Sequence, residues 1–390
     1  MKNFTPPENR RNTLIYTALQ AAIITALAFG LSALMMQPVS LSVATLVSSN
    51  DRTDFNITDF YNIVADSRKV RTLDPEIVLV DIGDATRDDI ADLFDAIPAF
   101  EPRAVGVDIS FEEERPGDVF LIDALSSNPN LVMVVDVEPD RALNGTRFRV
   151  SGGSYFLDRI PGVAVGAANL PTKIPGGVVR NFVLDYPAAD SGAVAVNSFP
   201  VAVAQLVAPD AVEDLRARGR SQEFINYPSR TYRVISYNEL ADKGELLTDK
   251  IVLVGALTDE GDLHATPPQI RMAGLEIHAH ALSTILHREY LHELSSTSNL
   301  VIACVLCFLL ALTHVSLPAA YKSLVLRIVQ LILLYLLLRV GYYYFVEHKI
   351  IINFSYALLM LTFVFFACDI WFSGRALFLK YKNRTKKTDK

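Results

Sequence analysis

The chain has 390 residues, a mass of 43.1 kDa and a formal net charge of −7, with 51% apolar residues and a mean hydropathy of +0.28. Its charge is unevenly placed: residues 37–298 carry 39 acids against 22 bases, and the remainder carries 4 acids against 14 bases. This composition excludes a disordered chain, a collagen and a purely soluble globule; three cysteines exclude a disulfide-built secreted scaffold, and the acidic balance excludes nucleic acid as a partner.

In chain order, residues 1–13 are a short basic segment. Residues 14–36 form an uncharged run of 23 positions, roughly 34 Å as a helix, which crosses a hydrocarbon core of about 30 Å. The run is longer than a signal-peptide core and ends in Met35-Met36-Gln37-Pro38, so it reads as an uncleaved anchor. A large domain at 37–298 follows, then three more apolar runs at 299–317, 323–346 and 350–372, and a basic tail at 373–390. Arg327 and Arg339, within the second of these runs, read as interfacial anchors. Four spans place Lys2, Arg10 and Arg11, then Lys322 and Arg327, then the tail from Arg375 to Lys390, on one side. The positive-inside rule makes that side the cytoplasm, with the acidic domain outside a bacterial inner membrane. Cys304, Cys307 and Cys368 fall in spans, where the C-x-x-C spacing puts two thiols on one helix face for packing.

Within the domain, IVLVDIGD (77–84), AVGVDISF (104–111) and LVMVVDVE (131–138) are short, β-branched apolar runs that end in acids. Amphipathic stretches separate them, with Ile90, Leu93, Phe94 and Ile97 at helical spacing and a second stretch at 118–127. This alternation predicts an α/β domain with a mainly parallel sheet buried on both faces and flanking helices. Further strands are expected at 163–170 and 181–186, a helix at 198–207, a core strand at 250–257, a loop at 258–268 and a helix from about Gly274 to Leu286. The expected faces of the core strand are Ile251 and Leu253 on one side, Val252 and Val254 on the other.

The segments DIGDAT, AVGVDISFEEERPGD, GAANLP, GGVVRNFVL, NSFPVAVAQ, INYPSRTYRVISYNEL, KIVLVGALTDEGDLHATPP and AGLEIHAHALSTIL occur in that order. Together they resemble the CHASE type-2 domain, a bacterial extracellular sensory domain associated with cyclases and histidine kinases. The similarity spans about residues 50–290. It is most specific where a strand, a G-D-x-x-x-T-P loop and a G-x-E-x-H-A helix follow one another. One span before and three after also fit that family. A Trp/Pro-rich segment after the first acidic strand is absent or much shortened, and no kinase, cyclase or phosphodiesterase domain follows the last span. The resemblance therefore implies sensing, with output through a separate protein.

In an open parallel sheet, ligands bind beyond the carboxyl ends of the strands. Asp81, Asp84, Asp108 and Asp136 lie at or just past such ends, and Asp262, His264 and Thr266 lie in the loop after another strand. One interpretation is a cleft for a metal or cationic ligand; the other is that the acids terminate strands and cap helices. Both stand open for Asp81, Asp108 and Asp262, whereas capping is the simpler account of Asp84 and Asp136. His278 and His280 sit two apart on an expected helix, about 200° around its axis, so they do not share one metal ion and only one faces the cleft. The candidate ligand site is thus Asp81, Asp84, Asp108, Asp262, His264, Thr266 and His278, with its metal content open. No nucleophile elbow, H-E-x-x-H helix or Walker loop is present, and Gly152-Gly153 and Gly176-Gly177 are expected in turns.

The expected function is a membrane-anchored sensor without enzymatic activity or cofactor. It would bind an unknown small ligand or envelope protein outside and signal to a separate cytoplasmic or membrane output protein inside. Its other contacts are the lipid bilayer and, as an open arrangement, a second copy of itself. A scaffolding subunit of an envelope complex is the alternative. A metal-dependent ectoenzyme using Asp81, Asp108, Asp262 and His264 is a third.

Overall fold

The computed structural model describes residues 7–36, 56, 58–67, 72–128, 130–140, 146–173, 176–189, 195–317 and 324–388. Lys2, Lys322 and Lys390, invoked above for orientation, lie outside the described residues. The chain divides into two units, one of residues 1–49 with 292–390 and one of residues 50–291.

In the second unit, helix α2 (Asp59–Ser67) leads into strand β1 (Thr72–Asp81), helix α3 (Arg87–Ala96) and strand β2 (Ala104–Asp108). Helix α4 (Asp118–Ser126), strands β3 (Leu131–Pro139), β4 (Phe148–Gly153) and β5 (Ala164–Ala167), and helix α5 (Phe199–Val207) follow. The unit closes with β6 (Arg230–Ser236), β7 (Ile251–Gly255), the short hairpin of β8 (Leu263–His264) and β9 (Met272–Ala273), and helix α6 (Gly274–Leu286). The main sheet runs β6-β1-β7-β2-β3-β4, with β5 also pairing β3. Every pairing is parallel except that of β3 with β4.

The alternating faces of the central strands feed two separate cores. Ile77, Leu79, Val132, Val134, Ile251 and Leu253 pack beneath α5 and α6; Val78, Val80, Val105, Val107, Met133, Val252 and Val254 pack beneath α3 and α4. The expected split of Ile251 and Leu253 from Val252 and Val254 is therefore observed. On the first face α5 lies very close to β5, because a Cβ at Gly166 would come within 2.6 Å of the Phe199 Cα.

Three local expectations need correction. β1 begins at Thr72 rather than 77, because a register shift between Leu73 and Val78 accommodates Pro75. Gly152 and Gly153 lie in β4, not in a turn. The 181–186 run is split into two short pieces, Asn181–Val183 and Asp185–Tyr186, which pair away from the main sheet.

In the first unit, α1 (Pro7–Met35), α7 (Ser296–Ser316), α8 (Leu324–His348) and α9 (Ser355–Thr388) are each long and apolar enough to cross a membrane. Small residues line the packing of α1, α7 and α9: Ala21, Ala28, Ala303, Ala311, Ala357 and Ala367 are buried. Cys307 and Cys368 are buried there too, as expected for packing. Helix α8 is held by Gln330, whose Nε2 donates to the Leu361 carbonyl at 2.6 Å. Helix α9 continues through the basic stretch to Thr388. Outside the spans, His292–Glu293 pairs in parallel with Ile350–Ile351.

Candidate functional site

Three strands end in one row: Asp81 of β1 and Asp108 of β2 are both in register with Gly255 of β7. The two acids are therefore two strand spacings apart, about 10 Å. Gly255 opens into the loop that carries Asp262 and His264 back over this edge. A local geometry fixes each of these loop residues. Asp259 accepts the Gly261 N–H at 2.8 Å and starts the turn Glu260–Asp262. The Asp262 Oδ2 then accepts the N–H of Gly274 at 3.1 Å, and its Oδ1 meets His264 Nε2 at 2.9 Å. Only glycine permits that approach, since a Cβ at 274 would fall 2.5 Å from Oδ2. The first turn of α6 thus receives a carboxylate at its positive end.

Asp108 differs from its neighbours. It is half-buried, and among the described residues its carboxylate has no hydrogen-bond or ion-pair partner. Burial pushes its pKa up to about 7; the charges of Asp262 and Asp136 add to the rise and His264 offsets part of it. Asp136 itself is exposed on β3, opposite Gly152 of β4. Below this edge His278 is buried in α6, edge-on to Phe199 at 5.2 Å and hydrogen-bonded to the Ala168 backbone. Burial pushes its pKa down to about 4, with Asp262 pulling upward and His264 downward. His278 is therefore neutral near pH 7. His280 takes a different environment, 3.1 Å from the Tyr232 hydroxyl and 3.9 Å from Glu276, the neighbour one helical turn away.

The structure thus assembles Asp108, Asp262 and His264, with Asp136 at the rim and His278 beneath. The other candidates have different roles. The Asp81 Oδ1 accepts the N–H groups of Gly83 (3.1 Å) and Leu257 (3.0 Å), tying the end of β1 to the loop after β7. Asp84 is exposed and does not cap α3. Thr86 does, in a reciprocal capping box with Asp89. Thr266 is fully buried, its Oγ1 donating to the Gln269 carbonyl at 2.9 Å and accepting its N–H at 3.2 Å, so the hydroxyl closes a turn. Among the described residues no three His, Cys, Asp or Glu are placed to hold one metal ion.

Two buried polar networks escaped the sequence reasoning. Asp74, at the opposite end of β1, accepts from Ser283 Oγ (2.7 Å), the Glu76 N–H (2.9 Å) and the Ile77 N–H (3.2 Å), and lies 3.0 Å from His287 Nε2. Asp118, at the start of α4, receives two bonds from Arg87 (2.6 and 2.8 Å), one from the Tyr155 hydroxyl (2.8 Å) and one from the Arg115 N–H (2.7 Å). Sequence carried one usable signal, an acid inside or beside an otherwise apolar run. Their partners lie from 31 to 213 residues away apart from local backbone N–H groups, so nothing local announces them.

A mainly parallel α/β domain on a chain with four apolar helices of membrane-spanning length defines a multi-pass membrane protein with one large globular domain. The sequence model of the CHASE2 domain matches residues 26–313, so the chain belongs to that family of extracellular sensory domains. Comparison with curated proteins and with solved structures produced no match.

Proposed function

We propose that this protein senses a small cationic ligand at the carboxyl edge of its sheet and relays occupancy through its spans to a separate output protein in the membrane or cytoplasm. The observation that carries this reading is Asp108: a half-buried carboxylate beside Asp262 and Asp136, with no partner of its own among the described residues. Asp74 and Asp118 in the same domain each accept several donors. An acid without them is poised for a cation to supply the missing charge. The site binds rather than catalyses, and needs no cofactor. The domain faces outward from a bacterial inner membrane, with both termini cytoplasmic, in keeping with the basic residues flanking the spans.

The test is thermal stabilisation of the full-length protein by diamines, with Mg2+ and Ca2+ as separate arms. A ligand selective for the native state raises its melting temperature. At least one probe should do so for the wild type and lose the effect in Asp108→Asn. If none does, the scaffolding alternative replaces the sensor. Orientation is checked in intact cells with a membrane-impermeant thiol label, which should reach Ser127→Cys and spare Lys380→Cys. Equal labelling would reverse the assignment.

A further inference from the structure

Helix α9 runs past the level at which α7 and α8 end, and contacts within the membrane unit fix that level. Gln330 of α8 meets the Leu361 carbonyl, and the Arg327 guanidinium lies 5.7 Å from the centre of the Phe365 ring. The His314 ring of α7 lies 5.4 Å from that of Phe365 and 6.1 Å from that of Phe372. α8 begins three residues before Arg327 and α7 ends two residues after His314, so both stop about level with 369–372. From Phe372 to Thr388, α9 adds about 24 Å. Measured from Ser355 at its other end, about 30 Å of helix reaches Arg375, which is the depth of a hydrocarbon core. Residues 375–382 therefore cross the headgroup layer, about 5–8 Å thick on each side.

Two features coincide on this segment. Leu377, Phe378 and Tyr381 are 68, 65 and 69% exposed and share one face at spacings of three and four. Arg375 turns onto α1, its guanidinium 5.5 Å from the Tyr16 ring, and the apolar face lies about 110° around the axis from it. The stripe continues the exposed surface of the span itself, because Phe366, Ile370, Leu377 and Tyr381 follow at steps of four, seven and four. The second feature is charge. Residues 373–388 hold Arg375, Lys380, Lys382, Arg384, Lys386 and Lys387, and no acid. Lys380 and Lys382 are exposed and lie on either side of the stripe. α1 brings Arg10 and Arg11 to the same end of the bundle, against the acids Glu8 and Asp369.

An exposed apolar stripe flanked by bases matches a boundary that is apolar on one side and anionic on the other. The lysine stems lie along the apolar surface and carry their ammonium groups to the phosphates. A second copy of this end carries the same positive charge and is repelled. A soluble acidic protein matches the charge, but it would have to displace lipid from a stripe that runs on into the span.

We propose that residues 375–382 of α9 bind the phosphates of anionic phospholipids and gather such lipids around this end of the bundle. The proposal rests on the membrane unit alone, stands apart from the ligand reading of the outer domain, and holds for either side of the membrane.

The experiment uses Trp371, the single tryptophan of the chain, which is half-buried one helical turn before Arg375. The full-length protein is reconstituted in phosphatidylcholine vesicles with a small, equal fraction of acyl-brominated phosphatidylglycerol or acyl-brominated phosphatidylcholine. Bromine quenches tryptophan at short range, so the ratio of the two quenching levels reports enrichment of the anionic lipid. The wild type should be quenched at least about twofold more by the phosphatidylglycerol, and the excess should vanish in about 1 M NaCl, where the Debye length is about 3 Å. Joint replacement by Lys380→Gln, Lys382→Gln, Arg384→Gln and Lys386→Gln should remove most of the excess. Lys380→Arg with Lys382→Arg and Lys386→Arg should keep it, as should Arg339→Gln on α8. Equal quenching of the wild type by the two lipids would overturn the proposal and leave the stripe to an acidic protein partner. An excess that survives high salt or the fourfold glutamine variant would overturn it as well. Should the glutamine variant fail to insert, the salt response of the wild type decides alone.

Discussion

Asp74 and Asp108 are both acids on core strands of one sheet, β1 and β2 on either side of β7, at opposite ends, and they are treated oppositely. At Asp74, burial alone would raise the carboxyl pKa, but His287, the Glu76 N–H and Ser283 outweigh it and hold the group below its usual value. At Asp108 burial acts with two neighbouring acids and nothing comparable opposes them, so the pKa is pushed up to about 7. The difference is the supply of donors rather than depth. A carboxylate surrounded by donors is part of the scaffold, and one left among other acids is an unfinished site.

The largest effect should come from placing an acid where no donor or solvent is available. Val252 lies in the middle of β7, fully buried against Val78 and Val105 on the flanking strands. Val252→Asp should leave the outer domain unfolded, read as loss of its cooperative melting transition. A normal melt would show that this sheet tolerates unpartnered acids and would erase the contrast.

Next in size is Asp74→Ala, which strips a buried hydroxyl, two backbone N–H groups and His287 of their acceptor. It should cost about 3 kcal/mol in denaturant unfolding near pH 7. The sign follows from the depressed pKa: this stabilisation is present above the unfolded value near 4 and is lost as pH falls through the lower folded value. A variant as stable as the wild type at pH 7 would mean that Asp74 is no better satisfied than Asp108.

The smallest effect has the opposite sign. Between about pH 4 and 7 the folded protein retains a proton on Asp108 that the unfolded chain has released, so stability falls as pH rises across that window. Asp108→Asn removes the penalty and should stabilise the protein by about 1–3 kcal/mol at pH 8, with little change at pH 4. Buried His278 contributes the reverse slope between about pH 4 and 6.5, since its folded pKa is depressed to about 4. It is common to both proteins, so the difference between the two melting curves isolates Asp108. A variant less stable than the wild type at pH 8 would make Asp108 a structural acid after all.

How much of this was legible in sequence differs by element. β2, β3 and β7 announced themselves as unbroken β-branched runs, because a strand buried on both faces has no polar alternation. β4 was missed because its residues are largely exposed and it ends in two glycines, which carry the local signature of a turn. The four spans were visible by length and hydropathy alone, and the positions of their charges were plain. That Arg339 and Asp369 face outward depended on how the helices pack.

The sequence by itself determined that acids gather at the carboxyl edge of a parallel sheet, since each acid directly follows an apolar strand and parallel strands share one end. Tertiary structure alone decided their roles. Asp81 accepts an N–H 176 residues away, Thr266 closes its own turn, Asp84 is left in solvent, and Asp108 has no donor among the described residues. A carboxylate's pKa and its freedom to bind depend on the groups within a few ångströms. Those groups come from segments far apart in the chain, so no local pattern of residues specifies them.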